Sequence, residues 1–340
     1  MPPFTKQSIP LLLSTRYPIH HHSISLINPF PFASSKYKPT PTKTMSSQPQ
    51  FGIPMPQMIY GTAWKKDLTS SLVHQAIKSG FRAIDTAAMK RHYDEALTGQ
   101  GIRQAINEGI VTRKDLWIQT KYTPQDPDFL SAGTSISAQI KASITNSLSN
   151  LSVSDDEAPY LDALILHSPF PTVSQTLEAW NEGLQPFIES KQIRYLGISN
   201  TPLFVLKALY DQGKTKPYIV QNRFRAEEYN WDLGTRKFCE EKGIKYQGFW
   251  TLTGNPEVWK RPAGFVKDVA EGAGVGVAEA WYVLMMEEGG IVVLNGTTNQ
   301  ERMEGDLEAG EKVKRWRETD EGKGVWERCV KEFRGLVDGE

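Results

Sequence analysis

The chain has 340 residues, 39% of them hydrophobic, which is enough for one barrel-sized domain with a tail or for two ordinary domains. Its 39 basic and 39 acidic residues leave no net charge, which argues against nucleic acid or an anionic membrane as a partner. No apolar run approaches the roughly 20 residues that span a bilayer. The two cysteines, Cys239 and Cys329, are far apart in predicted helices. A disulfide scaffold or a metal site is therefore not expected, and a reducing compartment is.

The first 50 residues have a different composition from the rest. They are rich in Pro, Ser and Thr, and no acidic residue precedes Asp67. This composition predicts a disordered extension, residues 1–50, ahead of a single domain at 51–340. An organelle transit peptide has a similar profile, although the prolines and scarce arginines argue against it, and translation from Met45 is a further alternative. We expect a cytoplasmic protein, or a mitochondrial one if residues 1–44 are a transit peptide.

From about residue 56, short apolar runs alternate with longer segments of helical spacing. The apolar runs predict strands at residues 58–64, 81–85, 116–122, 161–167, 193–199, 218–224, 244–250 and 291–294. Alternating strands and helices indicate right-handed parallel crossovers, and this number of repeats in roughly 250 residues is typical of a (β/α)₈ TIM barrel, an α/β fold. The last stretch, 312–337, is predicted to be an amphipathic appendage that covers one barrel face.

One glycine-rich run looks like a dinucleotide fingerprint. In Gly272-Ala273-Gly274-Val275-Gly276-Val277 the third glycine of that motif is missing, and a helix rather than a strand leads into it. We interpret it as a helix C-terminus followed by a turn.

Polar residues at the C-terminal ends of barrel strands are the candidates for chemistry. Asp85, Lys121 and His167 lie at the ends of the second, third and fourth predicted strands. Tyr93 follows Asp85 by eight positions, and we predict that it lies in the first turn of the next helix. A lysine inside an apolar strand is costly to bury unless it is paired, and Asp85 is one strand away. The alternatives are an Asp that only caps a turn, a structural ion pair and a hydrogen-bonded core histidine.

Together these residue types can shift the pKa of a tyrosine hydroxyl. A free tyrosine has a pKa near 10, whereas an adjacent ammonium stabilises the phenolate and a carboxylate holds that ammonium in place. An imidazole can then orient a carbonyl. Such a site donates a proton to a carbonyl oxygen while hydride reaches the carbon, and the hydride must come from a cofactor.

A set of short motifs recurs in order along the chain: Gly61-Thr62-Ala63-Trp64, Phe81-Arg82-Ala83-Ile84-Asp85-Thr86, Tyr93, Thr120-Lys121, Leu166-His167-Ser168-Pro169, Gly197-Ile198-Ser199-Asn200 and Val220-Gln221-Asn222. From about residue 51 to about 310 the chain resembles the aldo-keto reductase superfamily. The resemblance implies a (β/α)₈ barrel that binds NADPH without a Rossmann domain. It also implies that Tyr93 donates the proton, Lys121 lowers its pKa, Asp85 pairs with Lys121 and His167 positions the carbonyl.

The same resemblance implies a set of cofactor contacts. Ser199, Asn200 and Gln221 match the residues that hold the nicotinamide carboxamide, and Phe249 falls where a tyrosine usually stacks on the nicotinamide ring. The other expected cofactor residues are Gly61, Thr62, Ala63, Asp85, Trp250, Leu252, Thr297, Thr298, Arg302 and Asp306. The expected cofactor is NADPH, with NADH as a possible substitute, and no metal is expected.

Three departures from the family pattern stand out. The segment from Asp85 to Tyr93 is longer than usual, and residues 249–253 replace a commoner Y-S-P-L-G sequence. Residues 294–298 replace a strand end that normally carries a lysine for the 2′-phosphate. Arg302 remains one helical turn further on, and Asp306 stands where an asparagine often contacts adenine.

We therefore predict an NAD(P)H-dependent oxidoreductase that reduces an aldehyde or ketone with Tyr93 as general acid. Its partner is a small-molecule carbonyl substrate, and it is a monomer or weak homodimer. One alternative is a non-catalytic NADPH-binding partner or redox sensor of the same fold. Another is a barrel hydrolase or isomerase that needs no cofactor. Substrate identity depends on loops such as residues 122–133 and 318–324, and sequence alone does not give it.

Overall fold

The computed structural model describes residues 53–124, 135–153, 158–226, 230–261 and 264–339. These residues all belong to one unit, Gln48–Glu340. The predicted disordered extension, residues 1–50, lies outside the described residues, and so does most of the predicted specificity loop at 122–133.

Parallel strands form a closed barrel, in which each strand pairs with the next along the chain and the last pairs with the first. The strands are β1 (Met58–Gly61), β2 (Ala83–Asp85), β3 (Trp117–Tyr122), β4 (Leu161–Leu166), β5 (Ile193–Ser199), β6 (Ile219–Arg223), β7 (Lys245–Phe249) and β8 (Val292–Asn295). The predicted (β/α)₈ barrel is confirmed.

Helices connect the strands and surround the barrel. They are α1 (Thr69–Lys78), α2 (Glu95–Asn107), α3 (Ile136–Asn150), α4 (Val173–Glu178), α5 (Gln185–Glu189), α6 (Leu203–Gln212), α7 (Leu233–Lys242), α8 (Pro256–Trp259), α9 (Phe265–Ala273), α10 (Val277–Glu287), α11 (Gln300–Arg317) and α12 (Asp320–Val337). None of the helices in the described part of the chain is both long enough and apolar enough to cross a membrane. Cys239 in α7 and Cys329 in α12 are buried and unbridged.

The apolar core has two parts, because successive strand side chains point alternately into and out of the barrel. A small cluster that includes Ile59 and Trp117 fills the interior. There Trp117 stacks on Tyr195 at 5.6 Å between ring centroids, and Tyr195 stacks on Tyr218 at 4.0 Å. The larger cluster lies between the strands and the surrounding helices.

The second half of the chain contains the glycine-rich run at 272–277 and the predicted appendage at 312–337. Helix α9 ends at Ala273, and Gly274 follows with φ 65°, so the glycine-rich run is a helix C-terminus, as predicted. The appendage at 312–337 belongs to α11 and α12. Phe333 of α12 packs on Trp281 of α10 at 5.6 Å between ring centroids, so α12 packs against the helices that surround the barrel.

A buried carboxylate ties three strands together at the start of β4. Asp162 is 1% exposed and accepts hydrogen bonds from Arg113 Nη2 and Arg194 Nη1, both at 2.8 Å. It also accepts one at 3.0 Å from the backbone N–H of Ile118 in β3. The carboxylate therefore neutralises two guanidinium groups where water has little access.

Replacing Asp162 with alanine should lower the free energy of unfolding by about 3–5 kcal/mol, because it removes the carboxylate that neutralises two buried guanidinium groups. Equilibrium urea unfolding measures this change. Glu182→Ala is the matched control: its ion pair with Lys214 is exposed, and such pairs contribute about 0–1 kcal/mol. Equal losses for the two variants would contradict the role given to Asp162.

Candidate active site

The predicted ion pair lies at the C-terminal end of the barrel. Lys121 Nζ is 2.5 Å from Asp85 Oδ2 and donates a second hydrogen bond, at 2.8 Å, to the carbonyl of Thr86. Both side chains are almost completely buried. The ammonium is thus held on the barrel side of the cleft, facing the loop that follows β2.

The long loop between Asp85 and Tyr93 does not carry the tyrosine away. Its first part runs along β3, where the backbone N–H of Ala88 donates to the carbonyl of Lys121, and it closes with a turn from Met89 to Tyr93. The prediction that Tyr93 lies in the first turn of a helix is wrong. Asp94 caps α2 by accepting from the N–H of Leu97, so the helix begins after the tyrosine.

Tyr93 packs against the ion pair and His167. Lys121 Nζ lies 5.0 Å from the centroid of the Tyr93 ring, and the imidazole of His167 makes an edge contact at 6.1 Å between centroids. Among the described residues, the hydroxyl of Tyr93 has no hydrogen-bond partner. The phenol is therefore available to a ligand.

The pKa of the Tyr93 phenol is raised, whereas the family resemblance implies that Lys121 lowers it. Burial raises this pKa, the Lys121 ammonium lowers it and the Asp85 carboxylate raises it, with a net shift above the ordinary value. The lysine acts in the predicted direction, but it does not overcome burial. The phenol is therefore protonated at neutral pH, which is the form that an acid needs.

His167 is a neutral imidazole in this environment. Burial lowers its pKa to about 3, with further lowering by Lys121 and by His92. Its Nδ1 is 2.8 Å from the hydroxyl of Thr123, a contact that sequence reasoning missed. When the hydroxyl donates to Nδ1, the proton of the neutral ring sits on Nε2 and can be donated to a ligand.

A layer of glutamine amides supports the buried carboxylate from inside the barrel. Asp85 Oδ1 accepts from Gln119 Nε2 at 2.7 Å and from Gln221 Nε2 at 3.1 Å. The Oε1 atom of Gln247 accepts from both amides at 2.9 and 2.8 Å. Gln119 lies two residues before Lys121 on β3, so the alternation of strand side chains was a usable signal for it.

The residues expected to hold a carboxamide lie at the ends of β5 and β6. Ser199 Oγ donates to the carbonyl of Gln221 at 2.7 Å, and Asn200 Nδ2 donates to the carbonyl of His167 at 2.9 Å. Asn200 has a left-handed backbone, with φ 50°. Both N–H groups of Gln221 are used inside the protein, so Oε1 is its remaining group for a ligand.

The end of β7 presents aromatic surface, as the sequence predicted. Trp250 is 49% exposed and has φ 58°. The guanidinium of Arg223 lies 5.5 Å from the ring centroid of Phe249 and 4.9 Å from that of Trp250, and Arg223 Nη1 donates to Asn200 Oδ1 at 3.0 Å. Arg223 is a cation at this edge that sequence reasoning did not single out. Leu252, by contrast, packs against the core.

The first strand ends beside the ion pair. The backbone N–H and the hydroxyl of Thr62 both donate to the carbonyl of Asp85, at 3.0 and 3.1 Å. Gly61 approaches the β8 backbone closely, since a Cβ atom there would lie 3.3 Å from the carbonyl oxygen of Asn295. Ala63 is half-buried.

At the end of β8, Thr298 and Arg302 are exposed and Thr297 is half-buried. Asp306 is buried instead, and its Oδ2 accepts from Asn295 Nδ2 at 2.7 Å. Burial raises the pKa of Asp306 to about 6. A contact between Asp306 and adenine stays a prediction. In the structure the carboxylate already has a partner within the protein, the amide of Asn295.

The cluster of Asp85, Lys121, Tyr93 and His167 can supply a proton and a hydrogen bond to one ligand oxygen. In the part of the chain that the structure describes, no group of three His, Cys, Asp or Glu side chains could hold a metal ion. The unpaired Tyr93 hydroxyl, the residues expected to hold a carboxamide and the aromatic end of β7 would suit a planar redox cofactor that stacks and hydrogen-bonds. The closed barrel and the position of this cluster place the protein among the (β/α)₈ barrels that carry their functional residues at the C-terminal ends of the strands.

The chain belongs to the aldo/keto reductase family, whose model matches residues 57–255. It is 27% identical over 256 residues to an uncharacterized oxidoreductase, YtbE, of Bacillus subtilis (strain 168), which covers 75% of this chain and 81% of that protein. It is 28% identical over 227 residues to an NADP-dependent D-sorbitol-6-phosphate dehydrogenase of Malus domestica, covering 60% of this chain and 65% of that protein.

Solved structures show the same fold. An aldo-keto reductase (AKR2E5) of the silkworm Bombyx mori superposes with a TM-score of 0.64 at 20% identity, covering 82% of this chain and 84% of the other. A second silkworm enzyme, AKR2E4, gives a TM-score of 0.59 at 21% identity over 77% of this chain and 89% of the other.

Proposed function

We propose that this protein is an NADPH-dependent reductase that converts an aldehyde or ketone to an alcohol, with Tyr93 as general acid. The observation that carries the proposal is the Tyr93 hydroxyl, which lacks a partner among the described residues and lies beside Lys121 and His167. An ion pair with only a structural role would not need an unpaired phenol next to it.

Each residue of the cluster has a separate role in the proposed reaction. Tyr93 donates its proton to the carbonyl oxygen, and the Lys121 ammonium stabilises the phenolate that remains. Asp85 holds Lys121 in place and is itself fixed by the amides of Gln119 and Gln221. His167, as a neutral ring, donates from Nε2 to the same oxygen and orients the carbonyl.

NADPH, when bound, supplies the hydride. Ser199, Asn200 and Gln221 would hold its carboxamide, and Phe249 would stack on its ring. The Malus domestica relative is named NADP-dependent, and the silkworm AKR2E5 and AKR2E4 were solved in complex with NADPH and NADP respectively. These names support NADPH as the cofactor here.

The proposal is tested by measuring NADPH oxidation by the purified protein across a panel of aldehydes and ketones. Turnover of at least one carbonyl compound, with the alcohol formed in equal amount, is expected. Tight nucleotide binding without turnover of any compound would favour the non-catalytic sensor instead. Absence of nucleotide binding would favour a hydrolase or isomerase.

Arg302→Ala should weaken NADPH binding by about tenfold or more and leave NADH binding nearly unchanged, because a guanidinium makes charge-assisted hydrogen bonds to a phosphate monoester. Fluorescence titration of the two nucleotides measures the difference. Arg315→Ala, at an exposed position near the other end of α11, is the control. Equal weakening of both nucleotides would mean that Arg302 is not at the phosphate.

A further inference from the structure

One lysine of the loop after β1 crosses to the end of β8. Lys65 Nζ donates a hydrogen bond to the carbonyl of Gly296, the residue that follows β8. The Lys65 side chain is 9% exposed, and among the residues described no carboxylate pairs with it. Burial lowers its pKa, with no opposing effect from a nearby acid. The structure therefore keeps a desolvated cation here, with one neutral hydrogen-bond acceptor and the ring of Tyr60, whose centroid is 5.6 Å from Nζ.

The surroundings of this ammonium suit an anion. Thr297 and Thr298 follow Gly296 directly, and Arg302 lies one helical turn into α11. The nearby carboxylate of Asp306 is turned inward and bound to Asn295, so it does not neutralise the lysine. Two cations and two hydroxyls at one strand end are the donors that a phosphate monoester prefers.

Gly296 stands in the segment, 294–298, that lacks the expected lysine. A Cβ atom built onto Gly296 would lie 3.8 Å from Lys65 Nζ, with no other atom closer. The ammonium of Lys65 thus occupies the space that a side chain at position 296 would enter first. The positive charge missing from β8 is present, but it comes from the β1 loop.

We infer that Lys65 binds the 2′-phosphate of NADPH and sets the preference for NADPH over NADH, in the place of a lysine on β8. The inference rests on the proposed function, since it assumes that a nicotinamide dinucleotide binds at this end of the barrel. Lys65 and Arg302 then hold the 2′-phosphate from two different elements, the loop after β1 and helix α11.

The test measures equilibrium binding of NADPH and NADH by fluorescence titration, with no carbonyl substrate present. Lys65→Met should weaken NADPH by about 10- to 100-fold and change NADH by no more than about twofold. Lys66→Met is the matched control, because Lys66 is the exposed neighbour, and it should change neither. Adding Gly296→Lys to Lys65→Met should restore NADPH binding from the other strand.

A second pair of variants keeps Lys65 in place, in case its removal prevents folding. Gly296→Glu brings a carboxylate to the ammonium and should weaken NADPH selectively, whereas Gly296→Gln should not. Equal effects on both nucleotides, or no difference between the Glu and Gln variants, would overturn the inference and leave the proposed function intact. Failure of the unmodified protein to bind either nucleotide would overturn the proposed function, and the inference with it.

Discussion

Tyr93→Phe is expected to reduce the rate of carbonyl reduction by about 10²- to 10⁴-fold, the usual contribution of a positioned general acid. The substitution removes the hydroxyl and keeps the ring, so the packing against His167 and Lys121 should persist. Because the hydroxyl has no partner among the described residues, its loss should not disturb the fold. NADPH affinity should therefore stay within about twofold, since no binding group is removed.

Steady-state kinetics on a carbonyl substrate, combined with nucleotide titration, separates these effects. Tyr210→Phe is the control, because Tyr210 lies on α6 and packs on Phe238 of α7, outside the barrel. It should leave the rate unchanged. A Tyr93→Phe variant that turns over as fast as the unmodified protein would remove Tyr93 from the mechanism.

Lys121→Met should cause a rate loss of similar size, about 10²- to 10⁴-fold. Without the ammonium, burial and the Asp85 carboxylate would both raise the pKa of the phenol, and nothing would stabilise the phenolate. The variant also leaves the Asp85 carboxylate buried without its cation, so it should lose about 3–5 kcal/mol of stability. Asp85→Asn should slow the reaction less, because Asp85 acts through the lysine.

The informative measurement is the double variant Tyr93→Phe/Lys121→Met. Both residues act on one proton, so the combined rate loss should be close to the larger single loss rather than the product of the two. The double variant Asp85→Asn/Lys121→Met should regain stability relative to Lys121→Met, since no buried charge is left unpaired. Multiplicative rate losses would show that the lysine has a role independent of the phenol.

The sequence predicted the strands and the polar residues at their C-terminal ends because both follow from local pattern. Asp85, Lys121 and His167 each end an apolar run, and parallel strands bring such ends to one edge. Tyr93 does lie beside Lys121 and His167, but its predicted position in a helix is wrong. Asp94 caps the helix, so α2 begins at Glu95, two residues after Tyr93. The start of a helix is hard to predict to within one or two residues from composition alone.

Other features could not be predicted, because they depend on side chains that meet across the barrel. The amides of Gln119, Gln221 and Gln247 come from different strands, and only the closed sheet brings them under Asp85. Likewise, a missing lysine at β8 is visible in the sequence, whereas the crossing of Lys65 to Gly296 is not. The pKa of Tyr93 is raised because the ring is buried, and the extent of this burial is not visible from the charged residues near it in the sequence.

A single-turnover experiment shows whether the cluster around Tyr93 reduces a carbonyl group with NADPH. The protein in excess over NADPH is mixed with a panel of aldehydes and ketones, and nucleotide absorbance and alcohol product are followed together. We expect at least one compound to yield one alcohol for each NADPH oxidised, and we expect Tyr93→Phe to slow this step while still binding NADPH. If bound NADPH stays reduced with every compound, the cluster is not a carbonyl reductase site.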